Sequence, residues 1–506
     1  MTAKLFREPT LNVMWKGQNG LASLLRSVDI VRAVGNVENL EDENDSRHRL
    51  KRPLTSDDAK TLLLYSSRIV TMSLVAVRSV SERLSELQTA PLGTLFPRLK
   101  LLCSIATSTS SDAMFVLNCA GQDLRQFDHS SSTSFSPALL NILSQTTPRL
   151  TSLKLVAAPP RLELEDDEFV IPRTDHTHLR AVLHQMPELR ALHLMTDIDD
   201  GLWKTISELP VLEDLKVGSW LQLPFPVNCH ALQQVTTFSH LQSLSVFTID
   251  PEYALPSLQA MVFPDIRTIR FIFQIPDNRG CAALFKAIHT CSPTALLTGL
   301  RVAIGDIHYQ PALNCIIDKA SIAPFLLLSQ LSHVVLHTPQ WILSLDDSDI
   351  QDMARAWPNL HTLELKTDYS AHSVFVGSED QYERPPVITL LGLAPLGSHC
   401  PNLSVLTVDI CDVTESDVTG GLSGLVDSEP ASATGFVATP TQNASLVMIS
   451  VGRAKVAGAA IPIVATALSK MFTSLMYVHS EQDRDGWREV ARRIARANLE
   501  MFLRPG

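Results

Sequence analysis

The stretch Cys400–Ile410, CPNLSVLTVDI, contains the pattern from which the fold can be inferred. Its apolar residues Leu403, Leu406 and Val408 occupy what we number positions 1, 4 and 6. Positions 4 to 6 alternate between the two faces of the chain, which is the period of an extended strand. Pro401 suits the lead into that strand, since proline has a fixed φ and no backbone N–H. The stretch therefore predicts a short strand with one apolar face, which it cannot bury without neighbouring copies.

The same phrase recurs along the chain. Five further copies read TPRLTSLKL, MPELRALHL, LPVLEDLKV, FPDIRTIRF and WPNLHTLEL, and they begin at Thr147, Met186, Leu209, Phe263 and Trp357. Weaker copies become visible once this template is known. The full set of residues at position 1 is Ile69, Leu99, Leu124, Leu150, Leu189, Leu212, Leu241, Ile266, Leu297, Leu331, Leu360, Leu403, Leu446 and Leu475.

The spacing of the copies indicates the kind of repeat. Successive position-1 residues lie between 23 residues (Leu189 to Leu212) and 43 residues (Leu360 to Leu403) apart. Most spacings are near or slightly above the roughly 20–29 residues of a leucine-rich repeat. An ordinary α/β sheet whose strands happen to begin with leucine is the alternative, and the recurring proline lead weakens it. We therefore predict an α/β fold, a leucine-rich-repeat solenoid with a curved parallel sheet lined by helices.

Four regions follow from this pattern. We predict a short helical cap over residues 1–30, a charged linker over 31–60, leucine-rich repeats over 61–480 and a capping helix over 481–506. In the last region the apolar residues Trp487, Val490, Ile494 and Met501 share one face of a helix, which would close the core of the last repeat. Arginines occupy its other faces, where they are favoured near the C-terminal end of a helix dipole. Serine- and threonine-rich stretches predict exposed loops at 104–111, 130–136 and 420–445.

Composition narrows the class of protein. Hydrophobic residues make up 45% of the chain and charged residues 19%, as in folded proteins. The net charge of -11 disfavours general nucleic-acid binding. The 8 cysteines form no CxxC pair and are typical of a reducing compartment, so we expect a cytoplasmic or nuclear protein. The first 13 residues lack the apolar core of a signal peptide, and no apolar run is long enough to span a bilayer, so we expect no membrane partner.

Motifs for catalysis or metal binding are missing from the sequence. No G-x-S-x-G, Walker loop, G-x-G-x-x-G or H-E-x-x-H occurs. His176 and His178 form an H-x-H, but no third ligand is spaced to complete a site. The acidic run 163–168 has no EF-hand spacing and is interpreted as a solvated loop. The carboxylates near Asp199 and Asp346 follow strands, where Asp acts as turn former and helix N-cap. We expect no enzyme activity and no cofactor; an enzyme site in a long insertion ranks last.

The N-terminal segment carries a resemblance. The stretch from Pro386 to Val478 is similar to the C-terminal repeats of fungal F-box/leucine-rich-repeat proteins. A Phe-x-Glu-Pro-x-Leu-x-x-x-Trp phrase followed by a Leu-Leu pair resembles the end of the F-box in the same family. The residues that match the F-box phrase are Phe6, Glu8, Pro9, Leu11, Trp15, Leu24 and Leu25. The resemblance implies a protein-binding substrate receptor of a cullin-type ubiquitin ligase. In the family, helices preceding this phrase dock on a Skp-type adaptor; the sequence shows none, which makes this adaptor a doubtful partner. The alternative expectation is a repeat scaffold with no ligase link.

The side chains at position 5 suggest a binding surface. In a leucine-rich solenoid, positions 4 and 6 point into the core and position 5 points outward on the concave side. Across ten repeats this column holds four basic residues and one acid, in an acidic chain. Such a strip would suit an acidic or phosphorylated segment of a partner protein. The predicted protein-binding residues are Lys154, Lys216, Arg270 and Arg301.

Overall fold

The structure is a computed structural model that describes most of the repeat region and parts of the N-terminal segment. The described residues are 10–13, 16–19, 31–34, 47–50, 56–75, 96–106, 117, 120, 122–131, 135–157, 176–196, 198–218, 236–248, 255, 258–273, 280–292, 296–304, 316–337, 342–366, 386–417, 443–481 and 483–503. They divide into two compact units. The first unit spans 1–232 with 238–241, and the second spans 233–237 with 242–506.

The first unit is built on a sheet of seven parallel strands. In spatial order the strands are β1, β4, β5, β6, β7, β8 and β9, so that chain order and sheet order coincide. A separate antiparallel pair is formed by β2 and β3. The strand bounds are β1 Gly17–Asn19, β2 Val31–Val34, β3 Arg47–Leu50, β4 Thr71–Val75, β5 Leu101–Ala106, β6 Gln126–Ser131, β7 Ser152–Ala157, β8 Ala191–Met195 and β9 Asp214–Gly218.

Helices alternate with these strands. The helices of the first unit are α1 Ser56–Ser66, α2 Pro137–Thr146, α3 Thr177–His184 and α4 Asp200–Ser207. Each lies in the connection that leads to the next strand, and neighbouring helices contact each other, α2 with α3 and α3 with α4. This order of helix, turn and parallel strand is the predicted repeat unit.

The second unit continues the same plan with eight parallel strands. Their spatial order is β11, β13, β14, β16, β18, β19, β20 and β21. Two-stranded parallel pairs, β10 with β12 and β15 with β17, lie outside that sheet. The bounds are β10 Thr236–Thr237, β11 Ser243–Thr248, β12 Met261–Val262, β13 Thr268–Phe273, β14 Gly299–Ile304, β15 Ile316–Ile317, β16 His333–His337, β17 Ile342–Leu343, β18 Thr362–Lys366, β19 Val405–Val408, β20 Met448–Ser450 and β21 Tyr477–His479.

In the described ranges of the second unit, six longer helices occur together with three short helical turns. The helices are α5 Gly280–Cys291, α6 Lys319–Leu326, α7 Asp347–Ala356, α8 Ala394–His399, α9 Ile461–Met471 and α10 Arg484–Leu503, and the turns are Leu391–Leu393, Glu415–Asp417 and Gly458–Ala460. No helix within the described ranges is long and apolar enough to cross a membrane.

Burial along the strands follows the repeat pattern. All fourteen residues predicted at position 1 are buried, with relative exposures of 0–3%. The residues three and five places further on, at positions 4 and 6, are buried as well, as with Leu153 and Leu155 on β7 or Leu363 and Leu365 on β18. The sheet therefore has one face turned into the core and one open to solvent, which we call the solvent face. The predicted leucine-rich-repeat fold is confirmed within each unit.

Three repeats place a polar residue in the buried position-6 column. They are Ser104 on β5, His129 on β6 and Ser480 just after β21. The His129 ring stacks on Phe127, with ring centroids 5.9 Å apart, and also lies 6.3 Å from Phe135. Burial lowers the pKa of His129 from its ordinary value of 6.5 to about 4, so the ring is neutral in the core at neutral pH.

Two predicted loops need correction at their starts. Residues 104–106 belong to β5 and residues 130–131 to β6, although both stretches are rich in Ser and Thr. The extended backbone there is fixed by parallel pairing with neighbouring strands, as between Ser104 and His129. Tertiary pairing overrides the loop preference of serine, because the ladder satisfies the backbone groups.

The carboxylates predicted as helix caps act as caps. Asp199 accepts a hydrogen bond from the backbone N–H of Leu202 and begins α4. Asp346 and Asp349 form a reciprocal capping box at the start of α7. These groups satisfy N–H donors that a helix start leaves without partners.

The last helix covers the end of the second unit. Trp487, Val490 and Ile494 on α10 are all fully buried, and the indole N–H of Trp487 donates to the carbonyl oxygen of Ala454 at 2.7 Å. The helix packs on α9 and β21. Arg492 and Arg493 are exposed and pair with Glu489 on the same helix. Three of the four apolar residues predicted on this face of α10 are thus buried, and the side chain of the fourth, Met501, lies outside the described residues.

Several sequence interpretations concern residues outside the described ranges. Among them are six of the seven residues of the F-box-like phrase, all but Leu11, together with the acidic run 163–168 and the loop residues 420–442. Of that loop, Asn443 is described and buried. The four-region division of the chain stays a prediction.

Candidate functional site on the solvent face

Position 5 of consecutive repeats forms a continuous row on each sheet. In the first unit Lys154 pairs with His193, and His193 pairs with Lys216, on strands β7, β8 and β9. Adjacent parallel strands lie about 4.8 Å apart, so these side chains are immediate neighbours. The sequence predicted this alignment because parallel repeats with a common template stack position on position.

His193 is the central group of this row. Burial lowers the pKa of His193 to about 4, and the charges of Lys154 and Lys216 on the two flanking strands act in the same direction. Asp214 opposes them weakly. A neutral imidazole between two ammonium groups gives this part of the row a charge of two at neutral pH. His193 was visible in the sequence column, but its neutrality follows from burial, which the residue string does not show.

Acidic groups partly offset the first unit's row. The ammonium group of Lys216 lies 3.4 Å from a carboxylate oxygen of Asp214 on the same strand. Lys154 pairs in register with Asp128 on β6, which in turn accepts a hydrogen bond from the thiol of Cys103 at 3.8 Å. The row therefore reads Cys, Asp, Lys, His, Lys across five strands, with one acid and two lysines rather than a uniform charge.

The second unit contains a denser basic cluster. Arg270 on β13 and Arg301 on β14 are paired in register, which places two arginines at the same position of adjacent strands. Burial lowers the pKa of Arg270, and the neighbouring charge of Arg301 adds to that effect. The guanidinium carbon of Arg270 lies 6.0 Å from the ring centroid of Phe247 on β11. A cation at this distance from an aromatic face is attracted by the ring.

No carboxylate compensates this arginine pair in the part of the chain that the structure describes. Neither Arg270 nor Arg301 forms an ion pair with a described acid, and the buried Nε of Arg270 has no hydrogen-bond partner there. Ser245 precedes the pair in the row, and Val335 and Glu364 follow it. Two adjacent cations with a spare buried donor form a surface that favours an anion.

The four sequence-predicted residues thus fall into two pairs. Lys154 and Lys216 lie in the first unit, on either side of His193, and Arg270 and Arg301 lie next to each other in the second. Phe247, which supports Arg270, was missed in the sequence because it occupies position 7 of the preceding repeat, two places along the strand from position 5. An aromatic residue diagonal to a basic one is the signal that could have found it.

The other candidate features among the described residues do not form a functional site. No group of three or more His, Cys, Asp and Glu side chains within those ranges could hold a metal ion. His176 is buried at the start of α3 and His178 is exposed on its first turn. A groove between α9 and α10 includes Thr466 and Ser469, but their hydroxyls already donate to carbonyls of their own helix.

The comparisons with known proteins include a likeness to a solved structure. No protein-family model matches the chain, and no curated protein sequence matches it. Among solved structures, the chain is similar to one described as the crystal structure of the Rad7 and Elc1 complex in yeast. The match covers 90% of this chain and 91% of that chain, with a TM-score of 0.38 and 13% sequence identity. The functional proposal is therefore built on this chain's own residues.

Proposed function

We propose that this chain is a non-enzymatic repeat module that binds an acidic or phosphorylated segment of a partner protein on the solvent face of its sheets. Parallel strands hold position-5 side chains on a rigid framework, so little conformational freedom is lost when a partner binds. The proposed contact residues are Lys154 and Lys216 in the first unit and Arg270 and Arg301 in the second.

The observation that carries the proposal is the arginine pair. Burial of the Arg270 guanidinium lowers its pKa, and repulsion by the charge of Arg301 on the adjacent strand lowers it further. No purely structural role for the pair is apparent among the described residues, because neither side chain makes an ion pair there. A bound carboxylate or phosphate would relieve the repulsion and accept hydrogen bonds from both groups.

The cysteine thiols support binding rather than nucleophilic catalysis. Burial raises the pKa of Cys291 and of Cys400 to about 12. For Cys103 on the solvent face, burial raises the thiol pKa first and the charge of Asp128 raises it further. A nucleophilic thiol needs the opposite, a nearby cation or helix start that lowers its pKa. Asp128 beside Cys103 therefore works against thiolate formation.

A link to ubiquitin ligases is the finer form of the proposal. It rests on the resemblance of the phrase from Phe6 to Leu25 to the end of an F-box. A receptor would use that phrase with its adaptor and the repeats with its substrate, whereas a scaffold would use the repeats alone. Co-purification of the full chain with a Skp-type adaptor tests this link. Retention of adaptor through gel filtration favours the receptor, and its complete loss favours the scaffold.

Charge reversal at the arginine pair tests the main proposal. The double variant Arg270→Glu with Arg301→Glu replaces two cations by two anions on the solvent face of the second unit. A matched control, Lys286→Glu with Arg355→Glu, makes the same charge change at exposed sites on helices α5 and α7. Partner affinity would be measured by isothermal titration at low and moderate salt, with a partner first isolated by pull-down on the wild-type chain.

The arginine variant and the helix-face control should differ clearly in their affinity for the partner. We expect the arginine variant to lose at least about tenfold in affinity and to show a weaker salt dependence, because its contribution is largely electrostatic. The helix-face control should bind like the wild type. Equal affinity of the arginine variant and the wild type at low salt would remove the solvent face of the second unit as the binding site.

A further inference from the structure

We propose that the solvent face of the second unit recognises a three-part sequence motif in an extended segment: a phosphorylated residue, a basic residue about three positions away, and a bulky apolar residue about six positions away. This inference rests on the proposed binding function and specifies its ligand. It derives from three features in a fixed order along the same sheet face: the arginine pair, the acid Glu364 of the position-5 row, and an exposed apolar patch.

The apolar patch lies on the last two strands. Met448 on β20 and Tyr477 on β21 are paired in register and are 40% and 60% exposed. The residues just before them, Val447 and Met476, are 41% and 54% exposed. Met448 and Tyr477 both lie at position 3, on the same face as position 5, so they form an exposed apolar patch of the kind that marks binding surfaces on soluble proteins.

The acid lies between the two ends. In the position-5 row, Arg301 is followed by Val335 on β16 and Glu364 on β18. Glu364 makes no ion pair within the described residues, and its burial pattern places it on the solvent face. A uniformly acidic ligand would be repelled at this point, whereas a ligand with a basic residue here would gain a complementary pair.

Strand spacing fixes the distances between these features. Glu364 is two strands from Arg301, or about 10 Å, and Met448 is four strands away, or about 19 Å. An extended segment rises about 3.3 Å per residue, so these distances correspond to about three and about six residues. The segment would run across the strands, and the face leaves its chain direction open.

Charge complementarity selects the anionic residue as a phosphorylated one. Two adjacent guanidinium groups carry two positive charges, and a phosphoryl group at neutral pH carries between one and two negative charges with three acceptor oxygens. A single carboxylate offers one charge and two oxygens, so it would match the pair less well. An anionic membrane surface fits poorly, since Glu364 stands in the middle of the face and the whole chain carries -11.

Synthetic peptides test the motif directly. The reference probe is a fluorescein-labelled ten-residue peptide with phosphoserine, lysine three positions on, leucine six positions on, and glycine or serine elsewhere. Its binding to the full-length chain would be followed by fluorescence anisotropy. Four comparison peptides carry unmodified serine, glutamate in place of lysine, serine in place of leucine, or the leucine moved to three positions from the phosphoserine.

Protein variants locate each contact. Met448→Ser with Tyr477→Ser removes the apolar anchors, which are exposed and therefore not needed for folding. Leu327→Ser with Val387→Ser is the matched control, since these apolar residues are also exposed, at 66% and 58%, but lie off the sheet. Glu364→Lys should reverse the preference at the middle position, so that the glutamate peptide binds better than the lysine peptide. Circular dichroism melts would confirm that every variant is folded.

The expected pattern is specific to the three-part motif. Each of the four comparison peptides should bind the wild-type chain at least about tenfold more weakly than the reference peptide does. The Met448/Tyr477 variant should bind the reference peptide at least about tenfold more weakly than the wild-type chain, while the control variant binds it normally. If the Met448/Tyr477 variant and the shifted peptide bind as well as the reference, the motif is overturned. Should Arg270→Glu with Arg301→Glu still abolish partner binding in that case, the proposed function stands without the motif. If the charge reversal leaves partner binding unchanged and the reference peptide does not bind, both the motif and the proposed function are overturned.

Discussion

The two faces of the same strands are under different physical constraints. On the buried face, Leu153 and Leu155 of β7 pack in the core, away from water. The residues at the same positions of other repeats are nearly all apolar. On the solvent face between them, Lys154 stands in a row that also holds cysteine, aspartate and histidine. Alternation along a strand thus assigns one set of residues to stability and leaves the other free for recognition.

The comparison shows what kind of experiment can separate the two roles. A substitution on the buried face should change the free energy of unfolding, whichever partner is present. A substitution on the solvent face should change affinity and leave the unfolding free energy almost unchanged. The following predictions test this division from the largest expected effect to the smallest.

The largest effect is expected at the C-terminal end of the buried core. Trp487→Ala removes a fully buried indole and its hydrogen bond to Ala454, so the free energy of unfolding should fall by about 3–5 kcal/mol. Urea unfolding followed by circular dichroism measures it. Arg496→Ala, at an exposed site on the same helix, is the control and should cost under about 0.5 kcal/mol. An unchanged melting curve for Trp487→Ala would show that α10 does not close the core.

The second effect concerns pH and His129. Because the folded-state pKa of His129 is about 4 and its ordinary value is 6.5, the unfolded chain takes up a proton first as pH falls. Stability is therefore lost between about pH 6.5 and pH 4, by up to about 3 kcal/mol from this residue. His129→Leu should remove that share of the loss.

The comparison of wild type and variant isolates this residue. His193 titrates in the same direction in both proteins, so its contribution cancels. Urea unfolding at pH 7 and pH 4.5 would give the two pH dependences. Identical losses for wild type and His129→Leu would mean that the His129 ring is hydrated rather than buried.

The third effect is expected at a buried polar residue that joins two repeats. The side chain of Asn443 donates to the carbonyl oxygen of Cys400 and accepts from the backbone N–H groups of Ser445 and Leu446 at 2.7 and 2.8 Å. Asn443→Ala leaves these groups unpaired and should cost about 2–3 kcal/mol of unfolding free energy. Thermal melts against Asn359→Ala, an exposed turn site, provide the check. A loss as small as that of the control would contradict the bridging role.

The smallest effect is expected on the solvent face. Arg270→Glu with Arg301→Glu should change the free energy of unfolding by no more than about 1 kcal/mol, because Arg301 is exposed and the half-buried Arg270 makes no ion pair with a described residue. Denaturant midpoints in low and high salt would measure this. A loss of several kcal/mol would mean that the pair has a structural role and that reduced partner binding by this variant reflects unfolding.

Sequence periodicity predicted one face better than the other. The residues at positions 1, 4 and 6 could be assigned because core burial requires apolar side chains at a fixed spacing, and Leu99 and Leu297 are buried even in weak copies. The template did not predict that the core would accept polar residues at position 6, as with Ser104 and His129. Burial of the His129 ring depends on neighbours such as Phe135, which lies outside the repeat template.

The solvent face was predictable in its register but not in its energetics. A shared template aligns Arg270 with Arg301, and the strand pairing confirms that alignment. The salt bridge of Lys216 with Asp214 and the approach of Arg270 to Phe247 depend on side-chain rotamers, which no repeat pattern encodes. For this reason the lysine row and the arginine pair, alike in sequence, differ in how far their charge is compensated.

Labelling protection tests the central claim most directly. Single cysteines would be introduced on the solvent face, as Thr407→Cys on β19, and on the helix face, as Lys286→Cys on α5. Their maleimide labelling rates, read by mass spectrometry of the peptides containing them, would be compared in the free protein and in its complex with the isolated partner. A partner bound to the solvent face should slow labelling at residue 407 several-fold and leave residue 286 unchanged. Protection of residue 286 with free labelling at 407 would contradict the assignment of recognition to the solvent face.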